Sequence, residues 1–198
     1  KFDSNGVRET YAKMFLTLWN VYKFHADYAA LDGFDPEAQS VPVEQRSALD
    51  RWVLSRLHSV AKDYHGNFTN WQFHKACRDL EDFMVNDVSN WYVRRSRRRL
   101  WDEADSHDKL ACQHTLHEVL ETVCKLVAPV SPFMVDRIHR NLTGNSVHTA
   151  DWPLGVPGGL EGATADAWDE AAAQATAVLP PQDLKLEATM ALVRELAE

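Results

Sequence analysis

Five arginines lie close together in the segment 90–101, which reads NWYVRRSRRRLW and contains no Asp or Glu. Guanidinium groups bind phosphate oxygens in a bidentate way and stack on unpaired bases. Trp91, Tyr92 and Trp101 add aromatic planes on which exposed bases can also stack. The segment therefore has the chemistry that would recognise an RNA loop, whereas a regular duplex offers no unstacked bases to such side chains.

The net charge of the whole chain has the opposite sign. It is −8 at neutral pH, so the summed field repels polyanions at long range and disfavours non-specific nucleic-acid binding. Any site for a nucleic acid must therefore be local, and the arginine segment is where positive charge is concentrated.

One long helix, from about residue 69 to 101, is predicted to carry the arginines, because the pattern runs through this stretch without Pro or Gly. Thr69 and Gln72 have the form of a capping box at its start. At about 100° per residue, the wheel predicts a core-facing side with four members. These are Leu80, Met84, Val88 and Trp91.

The same wheel sorts the arginines. It directs Arg97 and Val93 away from the core, places Arg94 and Arg99 beside the core face, and puts Arg95 and Arg98 on that face. A core-side arginine needs a carboxylate partner or a gap in the bundle, so pairing with acidic residues and contact with RNA both stay open for that last pair. A charge run is also often just a solvated helix face.

The rest of the chain is also patterned as helices. Apolar residues at three- and four-residue steps predict helices over about 7–28, 45–64 and 108–127, the second ending near Gly66 and the third before Pro129. Ser131 as cap and Pro132 at the first position predict a short fifth helix that ends before Gly144. Since no strand-length alternation occurs before Ser146, we predict an all-α antiparallel helical bundle.

Composition changes after Trp152-Pro153 to Gly, Ala and acidic residues. We predict a linker over 154–165, a weak helix over 171–177 and hence a small C-terminal appendage to the bundle. The chain starts without Met, and its last helical pattern reaches Glu198 without a cap, which is typical of a fragment.

Cysteine and histidine placement bears on metal and redox chemistry. The three cysteines form no close pair, so no disulfide framework or thiolate metal site is predicted, and a reducing, cytoplasmic setting fits. His114 and His117 stand three residues apart, which leaves open a metal-dependent helical enzyme, although surface histidines are the favoured interpretation. No local signature marks a catalytic nucleophile, and no catalytic or metal-binding residue is assigned.

The arginine segment is similar to the WYxRRxRxRFW signature of isoleucyl-tRNA synthetases, with Leu100 where the family usually has Phe. Further matching stretches occur in the family's order and together cover 7–153, while Thr149 and the stretch 154–182 depart from the family. They are Asn20-Val21-Tyr22 with Phe24, Asp50-Arg51-Trp52-Val53-Leu54-Ser55-Arg56-Leu57, Ala128-Pro129-Val130-Ser131-Pro132-Phe133, Ser146-Val147-His148 and Asp151-Trp152-Pro153. Within them, we expect Asp50, Trp52, Arg56 and Trp152 to be structural.

The resemblance implies a function. Residues 1–153 would be the anticodon-binding domain of an isoleucine–tRNA ligase, and residues 154–198 a linker and the start of a connecting region. Its partners would be the anticodon arm of tRNA(Ile) and the catalytic domain of the same parent chain, with no membrane involved, in a cytoplasmic monomer. The expected RNA contacts are Arg94, Arg97, Arg99 and Trp101 first, then Arg95, Arg98 and Tyr92.

The resemblance also bears on catalysis. The parent would use ATP and Mg to attach isoleucine to its tRNA, but the HIGH and KMSKS signatures are absent here. The fragment itself is therefore predicted to be inactive and to need no cofactor. Two alternatives remain, which are the equivalent domain of a valyl or leucyl relative and a helical module that docks acidic proteins.

Overall fold

A computed structural model describes residues 4–38, 40–101, 106–154 and 180–197, and within these ranges all regular structure is helical. The predicted all-α helical bundle is therefore confirmed. In chain order the elements are α1 (Ser4–Thr10), a π-helical stretch (Tyr11–Phe15), α2 (Leu16–Asp32), a 3₁₀ turn (Val43–Gln45), α3 (Ala48–Thr69), α4 (Phe73–Asp82), the π segment (Phe83–Val93), α5 (Arg94–Trp101), α6 (His107–Val127), α7 (Pro132–Thr143), a second 3₁₀ turn (Val147–Thr149) and α8 (Leu184–Glu195).

The helix boundaries follow local chemistry in part. The first predicted helix is longer than expected, and it ends where Gly33 takes a left-handed conformation with φ 62° that only glycine adopts easily. The same residue type ends α7 at Gly144, as predicted. Ser131 precedes α7 as predicted, but its side chain makes no capping bond there.

The turn between α3 and α4 differs from the prediction. Gly66 does not end α3, because the helix continues to Thr69, where Phe68 stacks on the buried Tyr64 with ring centroids 5.2 Å apart. Such packing outweighs the cost of an interior glycine, about 1 kcal/mol. Thr69 caps nothing, since its hydroxyl donates to the carbonyl of His65, so the predicted capping box is wrong.

A true capping box opens α3 instead. The hydroxyl of Ser47 accepts from the amide of Asp50 at 3.2 Å, and the amide of Ser47 donates to the Asp50 carboxylate at 3.2 Å. The S-x-x-D spacing in the sequence would have indicated this start. The box ties Asp50 to the helix end, where a carboxylate also favours the helix dipole.

Helix α6 lies at the centre of the bundle. Fifteen of its residues are buried, around its whole circumference, so neighbours must surround it. Helices α2, α3, α5 and α7 all pack on it. The prediction of a helix over 108–127 is confirmed, and the large side chains around it make one continuous core. The largest fully buried members include Trp52, Tyr64, Phe83, Tyr92, Leu116 and Leu120.

The C-terminal region contributes a packed helix. The predicted linker lies outside the described residues except for its first residue, Leu154, and the weak helix over 171–177 lies wholly outside them, whereas α8 is described and packs against α3. The proposed division of the chain near residue 153 stays a prediction. Trp152, expected to be a packing anchor, packs against the core, with its ring 6.3 Å from that of Tyr64.

Two further findings concern the whole of the described chain. In the described ranges, no helix combines the length and apolar character that crossing a bilayer requires. All three cysteines are free thiols, and burial raises the pKa of Cys112 to about 11 and that of Cys124 to about 12. Both buried thiols are therefore protonated at neutral pH and behave as apolar packing groups.

Three histidines form a buried cluster, two of which, His114 and His117, were expected at the surface. His25 of α2 and His114 and His117 of α6 are each less than a tenth exposed, and they surround the ring of Phe34. Burial first, and then the charges of His117 and His114, lower the pKa of His25 to about 3. Burial also lowers the pKa of His117, against the opposing influence of Glu121 and Glu118.

This cluster should make the fold sensitive to mild acid. In the folded chain His25 stays neutral down to about pH 3, and His117 stays neutral to a pH below its ordinary pKa. In the unfolded chain both take up protons below about pH 6.5, so stability falls as the pH drops from about 6.5 toward 4. We expect a loss of up to about 1.4 kcal/mol per pH unit for each histidine. Urea unfolding between pH 7.5 and 4.5 measures this. His25→Asn should flatten the slope, and an unchanged slope would exclude His25 as its source.

Candidate nucleic-acid interface

Four of the five clustered arginines face solvent. Arg94, Arg95, Arg97 and Arg98 on α5 are exposed, while Ser96 and Leu100 of the same helix are buried. Among the described residues, no ion pair involves any of these four side chains. They form a positive surface whose donors have no carboxylate partner in the part of the chain that the structure describes. We call this surface, with Trp101, the arginine face.

The placement of Arg95 and Arg98 corrects the wheel. They were predicted on the core side, yet both are exposed, whereas Val93 was predicted to point outward and is 5% exposed. The reason is the π segment Phe83–Val93, in which each amide bonds a carbonyl five residues back. Its turns hold more residues than those of an α-helix, so α5 is rotated relative to the extrapolated wheel.

Arg95 is organised by an aromatic neighbour. Its guanidinium carbon lies 3.7 Å from the centre of the Trp91 ring, four residues earlier in the chain. A cation over an indole face at this distance is attracted by the ring quadrupole, by about 0.5–1 kcal/mol at an exposed site. The pair forms a flat, partly exposed platform at the start of the arginine face.

Trp101 closes the other end of the arginine face. It is the last residue of α5 and is 57% exposed, which is unusual for so large an apolar side chain. An exposed indole beside guanidinium groups is a suitable surface for stacking an unpaired base. Residues 102–105, which follow it, are not among the described residues.

Arg99 has a different environment from the other four. Its Nη1 and Nη2 donate to the two carboxylate oxygens of Asp50 at 2.8 and 2.7 Å. Its Nε and Nη2 also donate to the carboxylate of Asp108 at 2.7 and 2.8 Å, and Nη2 to the carbonyl of Asp108 at 2.9 Å. Arg99 thus clamps α5 to the N-terminal ends of α3 and α6, the role that the sequence suggested for Arg95 or Arg98.

Asp50 is the acceptor at the centre of this clamp. It is fully buried and also accepts a hydrogen bond of 2.5 Å from the hydroxyl of Tyr92. Burial on its own would raise the pKa of the Asp50 carboxyl, but the bonds and charge of Arg99, with the hydroxyls of Tyr92 and Ser47, hold that pKa below its ordinary value. The carboxylate is therefore ionised at neutral pH and matched by the guanidinium.

Tyr92 was also named as an RNA contact. Its ring is completely buried and its hydroxyl is committed to Asp50, so burial, with further contributions from Cys112 and Asp50, raises its pKa well above the ordinary value. Contact of Tyr92 or Arg99 with RNA stays a prediction, and it would require the clamp to open. In the folded bundle both residues position the arginine face.

A second polar cluster holds α8 to the bundle and was not anticipated from the sequence. Arg56, expected to be structural, donates to Asp87 at 3.1 Å and to Glu187 of α8 at 3.3 Å. Asp87 is 4% exposed and also accepts from Arg194 of α8. These partners are up to 131 residues apart in the chain, and sequence spacing carries no signal of their pairing.

The structure does not bring metal ligands together in the part of the chain that it describes. His114 and His117, the pair that left a metal-dependent enzyme open, pack edge-on or tilted against Phe34. Within the described ranges, no group of three or more His, Cys, Asp or Glu side chains has a geometry that could hold a metal ion.

Comparison with known proteins bears on what the arginine face binds. The family model described as "Anticodon-binding domain of tRNA ligase" matches residues 50–196, which include α3, the arginine face and α8. The match begins at Asp50, the residue that anchors Arg99.

Similar proteins are isoleucine–tRNA ligases of bacteria. The chain is 46% identical over 155 residues to that of Porphyromonas gingivalis and 47% identical over 155 residues to that of Bacillus thuringiensis. It is 41% identical over 160 residues to that of Bacteroides thetaiotaomicron. These alignments cover 77% to 78% of this chain but only 14% to 15% of each relative, so the chain spans about one seventh of their length.

Proposed function

Because the chain belongs to the family of anticodon-binding domains of tRNA ligases, we propose that its arginine face grips the anticodon stem-loop of an isoleucine tRNA. The observation that carries this proposal is the set of four exposed arginines on α5, flanked by the Trp91–Arg95 platform and by Trp101. Arg94, Arg95, Arg97 and Arg98 would bind backbone phosphates, and Trp101 would stack on an unpaired base of the loop.

Electrostatics supports a local rather than a diffuse contact. The chain carries a net charge of −8, so the RNA must be held by close pairs between guanidinium groups and phosphates, not by a general positive field. Each phosphate contact releases counterions, and affinity should therefore fall steeply as salt rises. Arg99 and Tyr92 would act indirectly, by fixing the direction of α5.

The parent protein would be an isoleucine–tRNA ligase that attaches isoleucine to its tRNA with ATP and Mg. This proposal rests on the identity of 41% to 47% with such ligases. The chain described here would supply only tRNA recognition and would be inactive on its own, with the catalytic domain of the parent as its partner in cis. A cytoplasmic monomer fits the three free thiols.

The choice of isoleucine over valine and leucine has a direct test. We expect the chain to bind the anticodon stem-loop of tRNA(Ile) more tightly, by about tenfold or more, than the stem-loops of tRNA(Val) and tRNA(Leu). Fluorescence anisotropy with the three labelled stem-loops at one fixed salt concentration measures this. Stronger binding of the valine or leucine stem-loop would assign the chain to a valyl or leucyl synthetase. Equal binding of all three would show that the chain does not distinguish these tRNAs.

A protein partner is the other candidate, since an arginine face with an exposed tryptophan also suits an acidic protein surface. The two functions separate in a competition assay. An acidic protein or polyglutamate should not displace the labelled tRNA(Ile) stem-loop at matched charge concentration, whereas unlabelled stem-loop should. Displacement by both to the same extent would favour the protein-docking function.

A further inference from the structure

Helix α8 is held to the bundle mainly by polar contacts. At one end, Glu187 accepts from the hydroxyls of Ser55 and Ser59 at 2.5 and 2.9 Å and pairs with Arg56 at 3.3 Å. The hydroxyl of Ser55 also accepts from the amide of Asp183 at 2.7 Å. These bonds join the start of α8 to the middle of α3, and they satisfy a carboxylate that is only 12% exposed.

Apolar burial contributes little to this docking. No residue of α8 is fully buried, and only Leu186 and Met190 are partly buried against the core. Leu184 and Leu192 are instead 67% and 62% exposed, and Leu196, which follows the helix, is 88% exposed. A helix with most of its large apolar side chains exposed is held mainly by polar and charged contacts, so its docking must respond to the charges around it.

The other end of α8 reaches the arginine face. Arg194 pairs with Asp87 of the π segment, and its guanidinium carbon lies 5.5 Å from the centre of the Trp91 ring and 6.0 Å from that of Trp52. Trp91 is the ring on which Arg95 lies at 3.7 Å. One indole is therefore contacted by a guanidinium from α5 and by another from α8, 99 positions later in the chain.

We propose that α8 is a positioning element of the RNA surface, in which Arg194 neutralises Asp87 and supports the Trp91–Arg95 platform, so that docking of α8 and RNA binding on α5 favour each other. This inference rests on the proposed RNA function and deepens it. Arg194 is a positioning residue here, because its side chain is committed to Asp87 and not free to bind a phosphate.

The coupling has a physical origin in the charge of Asp87. With α8 docked, Arg56 bonds one carboxylate oxygen of Asp87 and Arg194 the other, while Arg56 also pairs with Glu187. Release of α8 removes Arg194 and Glu187 together, so the net charge of the cluster is unchanged, but one Asp87 oxygen loses its partner. An Asp87 oxygen left without its cation, seven residues before the start of α5, can attract Arg95 away from the RNA. Coupling between two sites is reciprocal, so bound RNA must stabilise the docked α8 by the same factor.

The first experiment compares Arg194→Gln with Lys185→Gln in the full 198-residue chain, using the labelled tRNA(Ile) anticodon stem-loop as the probe. Lys185 is exposed on the same helix, nine residues from Arg194, and its substitution changes net charge equally. We expect Arg194→Gln to weaken binding about fivefold with an unchanged salt slope, and Lys185→Gln to leave affinity within about twofold. Arg194→Lys should recover most of the loss, because it restores the charge at Asp87.

The second experiment measures hydrogen exchange of the α8 amides with and without the stem-loop. We expect RNA to slow exchange in α8 about fivefold, and Arg194→Gln to remove that protection. Equal affinities of the two variants, or exchange in α8 that RNA does not alter, would overturn the coupling while leaving the RNA function intact. A salt slope lowered by about one in Arg194→Gln would instead make Arg194 a direct phosphate contact and also overturn it. Failure of the unsubstituted chain to bind the stem-loop would remove the RNA function itself.

Discussion

Reversing the charges of Arg94 and Arg97 together is expected to weaken binding of the tRNA(Ile) anticodon stem-loop about 100-fold at low salt. Both side chains are exposed on α5, and no described carboxylate competes with phosphates for their guanidinium groups. Replacing each with Glu removes an attraction and adds a repulsion. The plot of log affinity against log salt should lose roughly two units of slope, about one for each phosphate contact.

The matched control for this pair is the double variant Lys62→Glu with Arg137→Glu. These residues are exposed on α3 and α7, and the variant has the same change in net charge. We expect the control to lose less than about threefold, because both residues lie on helices other than α5 and salt screens charges that do not contact the RNA, over about 10 Å at 0.1 M. If both double variants lost affinity equally, the effect would be one of total charge and α5 would not be the interface. Folding of both should be unchanged in circular dichroism.

Substituting Asp50 with Ala is expected to have the largest effect on stability, a loss of about 3–5 kcal/mol in the free energy of unfolding. Asp50 is fully buried and accepts from Arg99, Tyr92 and Ser47, so its removal leaves a partly buried guanidinium and a buried hydroxyl without their acceptor. For a chain of this length the midpoint of thermal unfolding should fall by roughly 10 °C. Urea unfolding followed by far-ultraviolet circular dichroism provides the free energy.

Asp63→Ala is the control, since Asp63 is exposed on the same helix α3, and a surface change of this kind stays within about 0.5 kcal/mol. A similar small effect for Asp50→Ala would show that Arg99 finds other acceptors and that the clamp does not hold α5. Asp50→Asn separates charge from shape. This variant keeps a hydrogen-bond acceptor and the size of the side chain but lacks the negative charge, so it should lose less stability than Asp50→Ala.

The acid behaviour of Asp50 and of the histidine cluster should be separable. The pKa of the Asp50 carboxyl is lowered in the folded chain, so its stabilising contribution is present above its ordinary value of 3.8 and is lost as the pH falls through the lower folded value. The histidines act earlier, from about pH 6.5 downward. Destabilisation between pH 6.5 and 4 therefore reports His25 over the whole range and His117 in its upper part, whereas protonation of Asp50 lowers stability only in stronger acid.

Local pattern was sufficient for much of the fold. The three- and four-residue spacing of apolar side chains predicted the central helix α6 to within one residue, because a helix buried in this way repeats its apolar positions regularly along the sequence. The prediction from local pattern was less accurate at the α3–α4 turn, where α3 continues past Gly66 because Phe68 packs on Tyr64. There, a tertiary contact outweighed a local preference.

The orientation of the arginines could not be obtained in the same way. A wheel at constant angle assumes one helix geometry, and the π segment breaks that assumption between Leu80 and Arg94. The outcome was that Arg95 and Arg98 turned outward, while Arg99 took the pairing with carboxylates. A π-helix depends on the packing of a whole segment, so no single residue in the sequence indicates that the side chains after it point in a different direction.

By itself, the sequence determined the helical class, the central helix and the cluster of guanidinium and indole groups in one segment, since these depend on residue types and short spacings. The tertiary structure alone decided which of those arginines face solvent, that Arg99 pairs with Asp50, and that α8 reaches Trp91. Those outcomes depend on residues 49 to 107 positions apart, which meet only when the bundle closes around its core. The residues of the arginine face can therefore be read from one short segment, whereas the direction in which they point depends on the whole fold.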